Sequence, residues 1–259
     1  MVAEGTSMPT RTKYLLDPEY AQRYQSAFGV PPERPLFELF IPEQFREKDL
    51  LQATQSPIWR LERDVIWPQM ANLLQRDRIT GDLVEFGVYG GGSFRRLIEI
   101  FRPLGVINRY YGFDSFLGLP NSEIERDHPY FWNDGLFADT SKEKVLRYLA
   151  DGLGTLDQIE LVEGWFSKTL PAMRDRISRI AFVRVDCDLY SSTCDVFTFL
   201  SDRLVDGAII YFDDWTHEAT TGESCAFFEF AECHANRFRF EHLLTVSDGA
   251  LAVRVKTKI

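Results

Sequence analysis

Two apolar runs that end in paired acidic residues decide the fold of this chain. They read Val183-Arg184-Val185-Asp186-Cys187-Asp188-Leu189-Tyr190 and Ile209-Ile210-Tyr211-Phe212-Asp213-Asp214-Trp215. Branched and aromatic residues dominate both runs, which is typical of strands covered on both faces in a parallel sheet. Because such sheets bind ligands beyond the carboxyl ends of their strands, we expect the acidic residues to collect on one rim. They are Asp186, Asp188, Asp213 and Asp214.

Carboxylates gathered in one place repel one another unless they are solvated or held by a cation. Asp186 and Asp188 are two residues apart, so their side chains point to the same side if the strand continues. Oxygen ligands suit a hard divalent ion, Mg²⁺ before Zn²⁺. A single aspartate at a strand end is more often a solvated turn or a helix N-cap, and Asp188 could be such a cap. Two acidic clusters on neighbouring strands favour the metal site.

The composition bounds the class of protein. The chain has 259 residues, of which 45% are hydrophobic, and a net charge of −10. This length allows one large domain, or one domain with a lid. An acidic chain does not attract phosphate backbones, which argues against a nucleic-acid partner.

Its four cysteines form no CxxC pair. No apolar run approaches the roughly 18 residues of a membrane span, and the polar stretch 1–12 does not resemble a secretory leader. We therefore expect a reduced, cytoplasmic protein without a membrane partner.

A glycine-rich turn between a strand and a helix marks a second functional element. A strand is predicted over 83–86, followed by Gly87-Val88-Tyr89-Gly90-Gly91-Gly92 and a helix over 93–101. The glycines let a ligand approach the backbone, and the helix N-terminus offers free N–H groups. The turn lacks the G-x-G-x-x-G order of dinucleotide sites and the lysine of a P-loop. It therefore predicts a nucleotide-type corner of another kind.

Two further strand ends extend this corner. A strand over 110–113 ends in Asp114, which is placed to accept hydrogen bonds from ribose hydroxyls. A strand over 159–162 ends in Glu163-Gly164-Trp165, where a doubly wound fold places the adenine. Between them, the long aromatic stretch 115–140 is predicted to be a lid.

The order of elements predicts the fold class. Helices over 61–76, 141–149, 166–173, 192–204 and 222–233 alternate with the strands, and a hairpin over 239–244 and 250–255 ends the chain. This pattern predicts a doubly wound α/β fold with a mostly parallel seven-stranded sheet and an antiparallel terminal hairpin. Residues 1–60 are predicted to be an N-terminal extension, which could cap a pocket, contact another subunit or simply pack on the domain.

The arrangement around Glu85 and Gly87, E-x-G-x-x-x-G-x-S, is similar to the first motif of S-adenosylmethionine-dependent methyltransferases. Over roughly residues 60–255 the chain resembles the macrocin O-methyltransferase family, S-adenosylmethionine- and Mg²⁺-dependent enzymes that methylate sugar hydroxyls of natural products. The matching segments are Val84-Glu85-Phe86-Gly87-Val88-Tyr89-Gly90-Gly91, Tyr111-Gly112-Phe113-Asp114-Ser115-Phe116-x-Gly118-Leu119-Pro120, Phe137-Ala138-Asp139-Thr140-Ser141, Glu163-Gly164-Trp165-Phe166, Asp186-Cys187-Asp188-Leu189-Tyr190-x-Ser192-Thr193 and Asp213-Asp214-Trp215.

The resemblance implies roles for particular residues. It implies metal ligation by Asp186, Asp213 and Asp214, and a general base at Asp188. His217 could assist proton removal, although a loop histidine is more often simply solvated. The implied cofactor-binding residues are Glu85, Gly87, Tyr89, Gly90, Ser93, Asp114, Ser115, Ser141, Glu163, Gly164, Trp165 and Asp186.

The resemblance also implies a methyltransferase domain over 61–259, a small glycoside or polyol acceptor and a possible homodimer. Two other functions remain open at this point. One is an NAD(P)-dependent oxidoreductase on a Rossmann fold, which the missing G-x-G-x-x-G disfavours. The other is a non-catalytic cofactor-binding partner, which four retained, mutually repelling carboxylates disfavour.

Overall fold

A computed structural model describes residues 17–33, 60–122, 124–127, 135–215, 218–247 and 249–258. Within these ranges, seven strands form one sheet in the order β3-β2-β1-β4-β5-β7-β6. The strands are β1 (Gly81–Phe86), β2 (Ile107–Asp114), β3 (Ile159–Glu163), β4 (Ile180–Val185), β5 (Leu204–Phe212), β6 (Phe238–Ser247) and β7 (Ala250–Thr257).

Helices cover both faces of this sheet. They are α1 (Pro18–Phe28), α2 (Trp67–Arg76), α3 (Gly92–Phe101), α4 (Lys142–Leu153), α5 (Phe166–Ala172), α6 (Tyr190–Leu200) and α7 (Gly222–Cys233). Across the described ranges, none of these helices has the length and apolar character that crossing a membrane requires.

The pairing of the strands confirms the predicted fold class. β1 pairs in parallel with β2 on one side and with β4 on the other, and β4 pairs in parallel with β5. The hairpin of β6 and β7 adds to β5 in antiparallel fashion. Every residue of β1 and β4 is buried, as expected for central strands with helices on both faces. Between β1 and β4 the order in which successive strands are added to the sheet reverses. Such folds bind ligands at this position.

Two element boundaries differ from the prediction. The helix predicted over 192–204 ends at Leu200, and β5 already begins at Leu204. Gly207, with φ 83°, interrupts the apolar pattern inside this strand. The first half of the strand was therefore not predicted from the sequence. The helix predicted from residue 61 starts with a π-helical turn, Glu62–Ile66, before α2. The wider turn rotates the side chains of this segment relative to those of an α-helix. The 3.6-residue period used for the prediction does not detect this rotation.

Helix α1 is part of the packed core. Asp17 caps its first turn and Gly29 ends it in a left-handed conformation. Tyr20 and Tyr24 are each 1% exposed, and the indole N–H of Trp215 donates to the Tyr20 hydroxyl at 2.9 Å. The described part of the extension therefore packs on the domain. Residues 34–59 lie outside the described ranges, and the boundary at residue 60 stays a prediction.

The predicted lid is described at its two ends, 115–122 with 124–127 and 135–140. The ends pair with each other, because the N–H of Leu119 donates to the carbonyl of Leu136 at 2.9 Å and that of Gly135 donates to Leu119 at 3.1 Å. Three of the aromatic residues behind the lid prediction, Tyr130, Phe131 and Trp132, lie outside the described residues.

We expect Tyr20→Ala to lower the free energy of unfolding by about 3–5 kcal/mol, because it empties an aromatic site in the core. Urea unfolding followed by tryptophan fluorescence measures the change. Val30→Ala is the matched control, since Val30 follows the same helix and is 40% exposed. Its expected change is within about 0.5 kcal/mol. Equal losses in the two variants would show that α1 does not anchor the domain.

Candidate active site

The glycine turn after β1 lies directly against the turn after β4. Gly87 has φ 87°, and a Cβ at this position would lie 1.7 Å from the carbonyl oxygen of Asp186. The N–H of Asp186 donates to the carbonyl of Phe86 at 2.9 Å. Glycine is therefore required here by both conformation and space. This contact places the predicted cofactor corner beside the first acidic cluster.

Asp114 ties the corner to β2. Its Oδ2 accepts hydrogen bonds from the N–H groups of Val88 at 2.8 Å and Tyr89 at 2.7 Å. Its Oδ1 accepts from the N–H of Phe116 at 2.6 Å. The carboxylate thus orders the glycine turn, and each oxygen has two lone pairs to share. Its predicted contact with a ribose stays a prediction.

Glu85 and Ser93 lie beneath the turn. Glu85 is fully buried, and its Oε1 accepts from the Ser93 hydroxyl at 2.5 Å. Burial raises the pKa of Glu85 to about 7, although Arg184 opposes the shift. Because both side chains are inside the protein, they brace the strand and the start of α3. Their predicted contact with a cofactor is not tested by this geometry.

The open side of the corner is lined by exposed aromatic side chains. Tyr89 is 38% exposed and Trp165 is 39% exposed, and the Tyr89 ring lies edge-on to Phe137 at 5.3 Å. Gly164 is fixed to the end of β2 by a hydrogen bond from its N–H to the carbonyl of Asp114, at 2.9 Å. A Cβ at Gly90 would meet no atom within 4 Å. Tyr89 and Gly90 are exposed on this side of the corner.

The remaining predicted cofactor residues are placed as follows. Ser115 accepts a hydrogen bond from the N–H of Leu117 at 3.1 Å. Ser141 caps helix α4. Glu163 is the last residue of β3, and in the sheet it pairs with Asp114 of β2. Their contacts with a ligand stay predictions.

Three aspartates form a cluster that could hold a metal ion. Asp186, Asp213 and Asp214 each offer one oxygen, and these oxygens lie within 4.8 Å of one another. The N–H of Asp213 donates to the carbonyl of Val185 at 2.9 Å, which sets the end of β5 against the end of β4. An all-oxygen donor set of this kind fits a hard divalent cation such as Mg²⁺. The three residues predicted as metal ligands are therefore brought together.

Asp188 lies near this cluster, but not because the strand continues and its side chains alternate, as the sequence suggested. Strand β4 ends at Val185, and the chain turns at Asp188, which has φ 62°. Besides burial, its pKa is influenced by Asp186, Glu223 and Asp214, which places its carboxyl near the cluster. The N-cap of α6 is Leu189, so Asp188 is not the cap. His217, the second predicted catalytic residue, lies outside the described residues.

Arg184 is a site residue that the sequence reasoning missed. Its Nη1 lies 2.6 Å from Glu85 Oε1 and also contacts Asp186, and its Nη2 lies 2.7 Å from Asp213 Oδ1. The side chain is 2% exposed and stacks over Trp67 at 5.6 Å. One guanidinium therefore joins the ends of three strands. Arg184 lies in β4 and Asp186 follows its end two residues later, and this spacing was the available signal.

Two more buried carboxylates lie next to the cluster, and the sequence motifs identified neither of them. Glu223 at the start of α7 is fully buried, and Glu62 in the π-helical turn is 4% exposed. Glu223 accepts a hydrogen bond from the N–H of Cys187 at 3.1 Å. Neither follows a strand, so no local pattern linked them to the rim.

Burial and mutual repulsion control the charge of these groups. Burial, with further contributions from neighbouring carboxylates, raises the pKa of Glu62 to about 8 and that of Glu223 to about 8. The same causes raise the pKa values of Asp188 and Asp214 well above their usual range. The cluster is therefore short of positive charge despite Arg184, and a bound cation would relieve the repulsion.

The model of the macrocin O-methyltransferase family (TylF) matches residues 65–236, which include the glycine turn, Asp114 and the three clustered aspartates. The chain belongs to the macrocin O-methyltransferase family. The resemblance drawn from the motifs is thereby confirmed.

Relatives of known activity in this family support the same placement. The chain is 33% identical over 149 residues to an 8-demethyl-8-(2,3-dimethoxy-alpha-L-rhamnosyl)-tetracenomycin-C 4'-O-methyltransferase from Streptomyces olivaceus, covering 55% of this chain and 56% of that protein. It is 33% identical over 149 residues to a mycinamicin III 3''-O-methyltransferase from Micromonospora griseorubida, covering 54% and 57%. The chain thus spans about half the length of these relatives.

A solved structure extends the similarity to the fold. The O-methyltransferase NovP superposes with a TM-score of 0.63 at 26% identity, covering 74% of this chain and 78% of NovP. The sheet and its helices are therefore those of the O-methyltransferase fold.

We expect Gly87→Ala to lower the free energy of unfolding by at least about 2 kcal/mol, because a methyl group at this φ must displace the Asp186 carbonyl. Gly90→Ala changes the same turn where there is free space, so its expected change is within about 0.5 kcal/mol. Thermal and urea unfolding compare the two variants. Equal tolerance of both would contradict the close approach of the two turns.

We expect Arg184→Met to cost about 3–5 kcal/mol of stability, because it leaves Glu85 buried without its cation. Arg174→Met is the control, since the ion pair of Arg174 with Asp202 at 3.1 Å is exposed, and its expected cost is at most about 1 kcal/mol. If Arg184→Met unfolded at the same urea concentration as the unaltered protein, the buried pair would contribute nothing to folding.

Proposed function

We propose that this protein is an S-adenosylmethionine- and Mg²⁺-dependent O-methyltransferase that acts on a sugar hydroxyl of a glycosylated natural product. The observation that carries the proposal is the contact between Gly87 and Asp186. It places a glycine corner next to a cluster of three aspartates. A methyl donor bound in the corner and an oxygen acceptor bound at the aspartates would therefore be neighbours.

The corner has the features that an adenosyl cofactor with a carboxylate requires. Helix α3 starts without a side-chain cap, so N–H groups of its first turn are available to an anionic group. Asp114 stands at the end of β2, where a ribose hydroxyl would find a carboxylate. Trp165 and Tyr89 offer exposed rings to the apolar parts of the ligand.

The aspartate cluster has the features that an acceptor hydroxyl requires. The divalent cation, when bound, supplies the positive charge that makes a hydroxyl more acidic, and S-adenosylmethionine supplies the methyl group. Asp186, Asp213 and Asp214 would hold that charge in place. Asp188, beside this cluster, would take the hydroxyl proton, a contribution of about 10²–10⁴-fold in general acid–base catalysis. Arg184 fixes two of the three ligands from below.

The acceptor class rests on the relatives. Their names describe methylation of a rhamnosyl group of a tetracenomycin and of mycinamicin III, and a third relative is a demethyldecarbamoylnovobiocin O-methyltransferase from Streptomyces niveus, 32% identical over 145 residues. The first of these names describes an acceptor that carries a sugar, and all three names describe O-methylation. Family membership also favours this function over the NAD(P)-dependent oxidoreductase and the non-catalytic partner that the sequence left open.

The test has a binding stage and a turnover stage. S-adenosylhomocysteine is titrated calorimetrically into the protein in MgCl₂ and in EDTA, and binding is expected in both because the corner does not use the cation. The three acceptors of the relatives are then offered with S-adenosylmethionine, with methyl transfer expected in MgCl₂ and not in EDTA. A folded sample that binds no S-adenosylhomocysteine in either buffer would overturn the proposal.

We expect Asp213→Asn to lower Mg²⁺-dependent turnover by at least about 100-fold, because metal-charge stabilisation is worth several kcal/mol. The affinity for S-adenosylhomocysteine should stay within about twofold, since Asp213 lies outside the glycine corner. Asp151→Asn, on the exposed face of α4, is the charge-matched control and should leave both quantities unchanged. An equal loss of turnover and cofactor binding in a folded Asp213→Asn sample would contradict the division of roles.

A further inference from the structure

The helix that follows the candidate base has no cap of its own. Leu189, at the N-cap of α6, makes no side-chain capping bond. Asp127 supplies one from the loop after β2. Its Oδ1 accepts from the N–H of Ser191 at 2.6 Å, and its Oδ2 accepts from the Ser191 hydroxyl at 2.7 Å. A carboxylate beside the N–H groups of the first turn also interacts favourably with the positive end of the helix dipole.

Asp127 is built into the protein interior. The residue is 0% exposed, although it belongs to a short 3₁₀ turn, Glu125–Asp127, on a loop. A third donor, the hydroxyl of Ser122, lies 2.5 Å from its Oδ2. Three donors therefore converge on one buried carboxyl group, which fixes its position.

The neighbouring residue reinforces the same junction. The Arg126 guanidinium lies 2.8 Å from the Tyr190 hydroxyl and 2.7 Å from Glu229 of α7. The Tyr190 hydroxyl donates to the other oxygen of Glu229 at 2.7 Å. Two consecutive loop residues thus hold the first two residues of α6.

What this junction holds in place is Asp188. The residue stands two positions before Tyr190 and adopts φ 62°, in the left-handed region that aspartate enters more readily than most other non-glycine residues. On one side, Glu223 accepts from the N–H of Cys187. On the other side, the start of α6 is fixed by Asp127. The turn that carries the candidate base is therefore held between two buried carboxylates.

The same loop also begins at the cofactor corner. Asp114 ends β2 and accepts from the N–H of Phe116, and the loop reaches α6, the helix that follows β4. Because β2, β1 and β4 are neighbours in that order, the loop passes the carboxyl end of β1 on its way. It connects the predicted ribose contact with the candidate base.

We propose that Asp127 is a positioning residue: it caps α6 from the loop and thereby holds Asp188 where it can receive the acceptor proton. The catalytic part of this inference rests on the proposed function. The structural part, the cap and the fixed turn, does not. Asp127 itself need not touch the substrate.

The experiment compares Asp127→Ala with Asp127→Asn and with Glu125→Ala. Asparagine keeps an oxygen for the Ser191 N–H, so it should restore most of what alanine removes. Glu125 is exposed on the same turn, and its variant controls for any disturbance of the loop. The samples for hydrogen exchange contain S-adenosylhomocysteine and MgCl₂.

Amide hydrogen exchange is the first readout. Asp127→Ala should raise the exchange rates of residues 188–193 by about tenfold or more, because a charged hydrogen bond to the first turn is lost. Residues 196–200 of the same helix and 180–185 of β4 should keep their rates. Unchanged exchange at 188–193, or an equal rise across all three segments, would overturn the cap.

Kinetics with the fastest acceptor of the preceding panel is the second readout. Asp127→Ala should lower kcat by about tenfold or more, as expected when a general base is displaced, with Asp127→Asn recovering most of it. Affinities for S-adenosylhomocysteine and Mg²⁺ should change less than about twofold. Full kcat in the alanine variant would overturn the positioning role. If the unaltered protein turns over no acceptor, the proposed function fails, and the exchange rates alone judge the cap.

Discussion

The site depends on one buried cation. The Arg184 guanidinium, 2% exposed, lies between Glu85 of β1, Asp186 after β4 and Asp213 after β5. Burying these charges is costly, and removing one partner costs more than the pair gains, because the others stay desolvated. The ends of three neighbouring strands are therefore locked to one point. Arg184 offsets part of the repulsion among these carboxylates. The raised pKa values of Asp188 and Asp214 show that burial and repulsion still disfavour their charged forms, which a divalent ion would favour.

The glycine turn and the aspartate cluster contact each other through their backbones. Gly87 touches the carbonyl of Asp186 at a distance that no side chain would permit, so the cofactor corner and the aspartate cluster cannot move independently. Asp114 orders the glycine turn from the other side through the N–H groups of Val88 and Tyr89. For the proposed methyl transfer this rigidity would be useful, since orienting two reactants can be worth about 7–11 kcal/mol in ideal cases.

An aromatic cluster supports the rim from behind. Trp215, which directly follows Asp214, packs edge-on against Phe227 and Phe228 of α7 and donates to Tyr20 of α1. The helix that carries Glu223 is thus packed on the helix of the N-terminal extension. The sequence predicted an N-terminal extension and left its role open. Its described part turns out to stabilise the segment behind the second acidic pair.

The sequence by itself determined the sheet, the glycine corner, the three clustered aspartates and the family, because each is written in a local run whose period and ending have a direct physical meaning. Only the tertiary structure decided how the charges are shared. Arg184 and Glu85 are 99 residues apart in the chain, and Asp127 and Ser191 are 64 apart. Glu62 and Glu223 reach the rim from helices that no strand pattern marks. Contacts of this kind depend on how distant segments pack, and the free energy of a buried charge depends on its neighbours in space, which no local pattern of residues records.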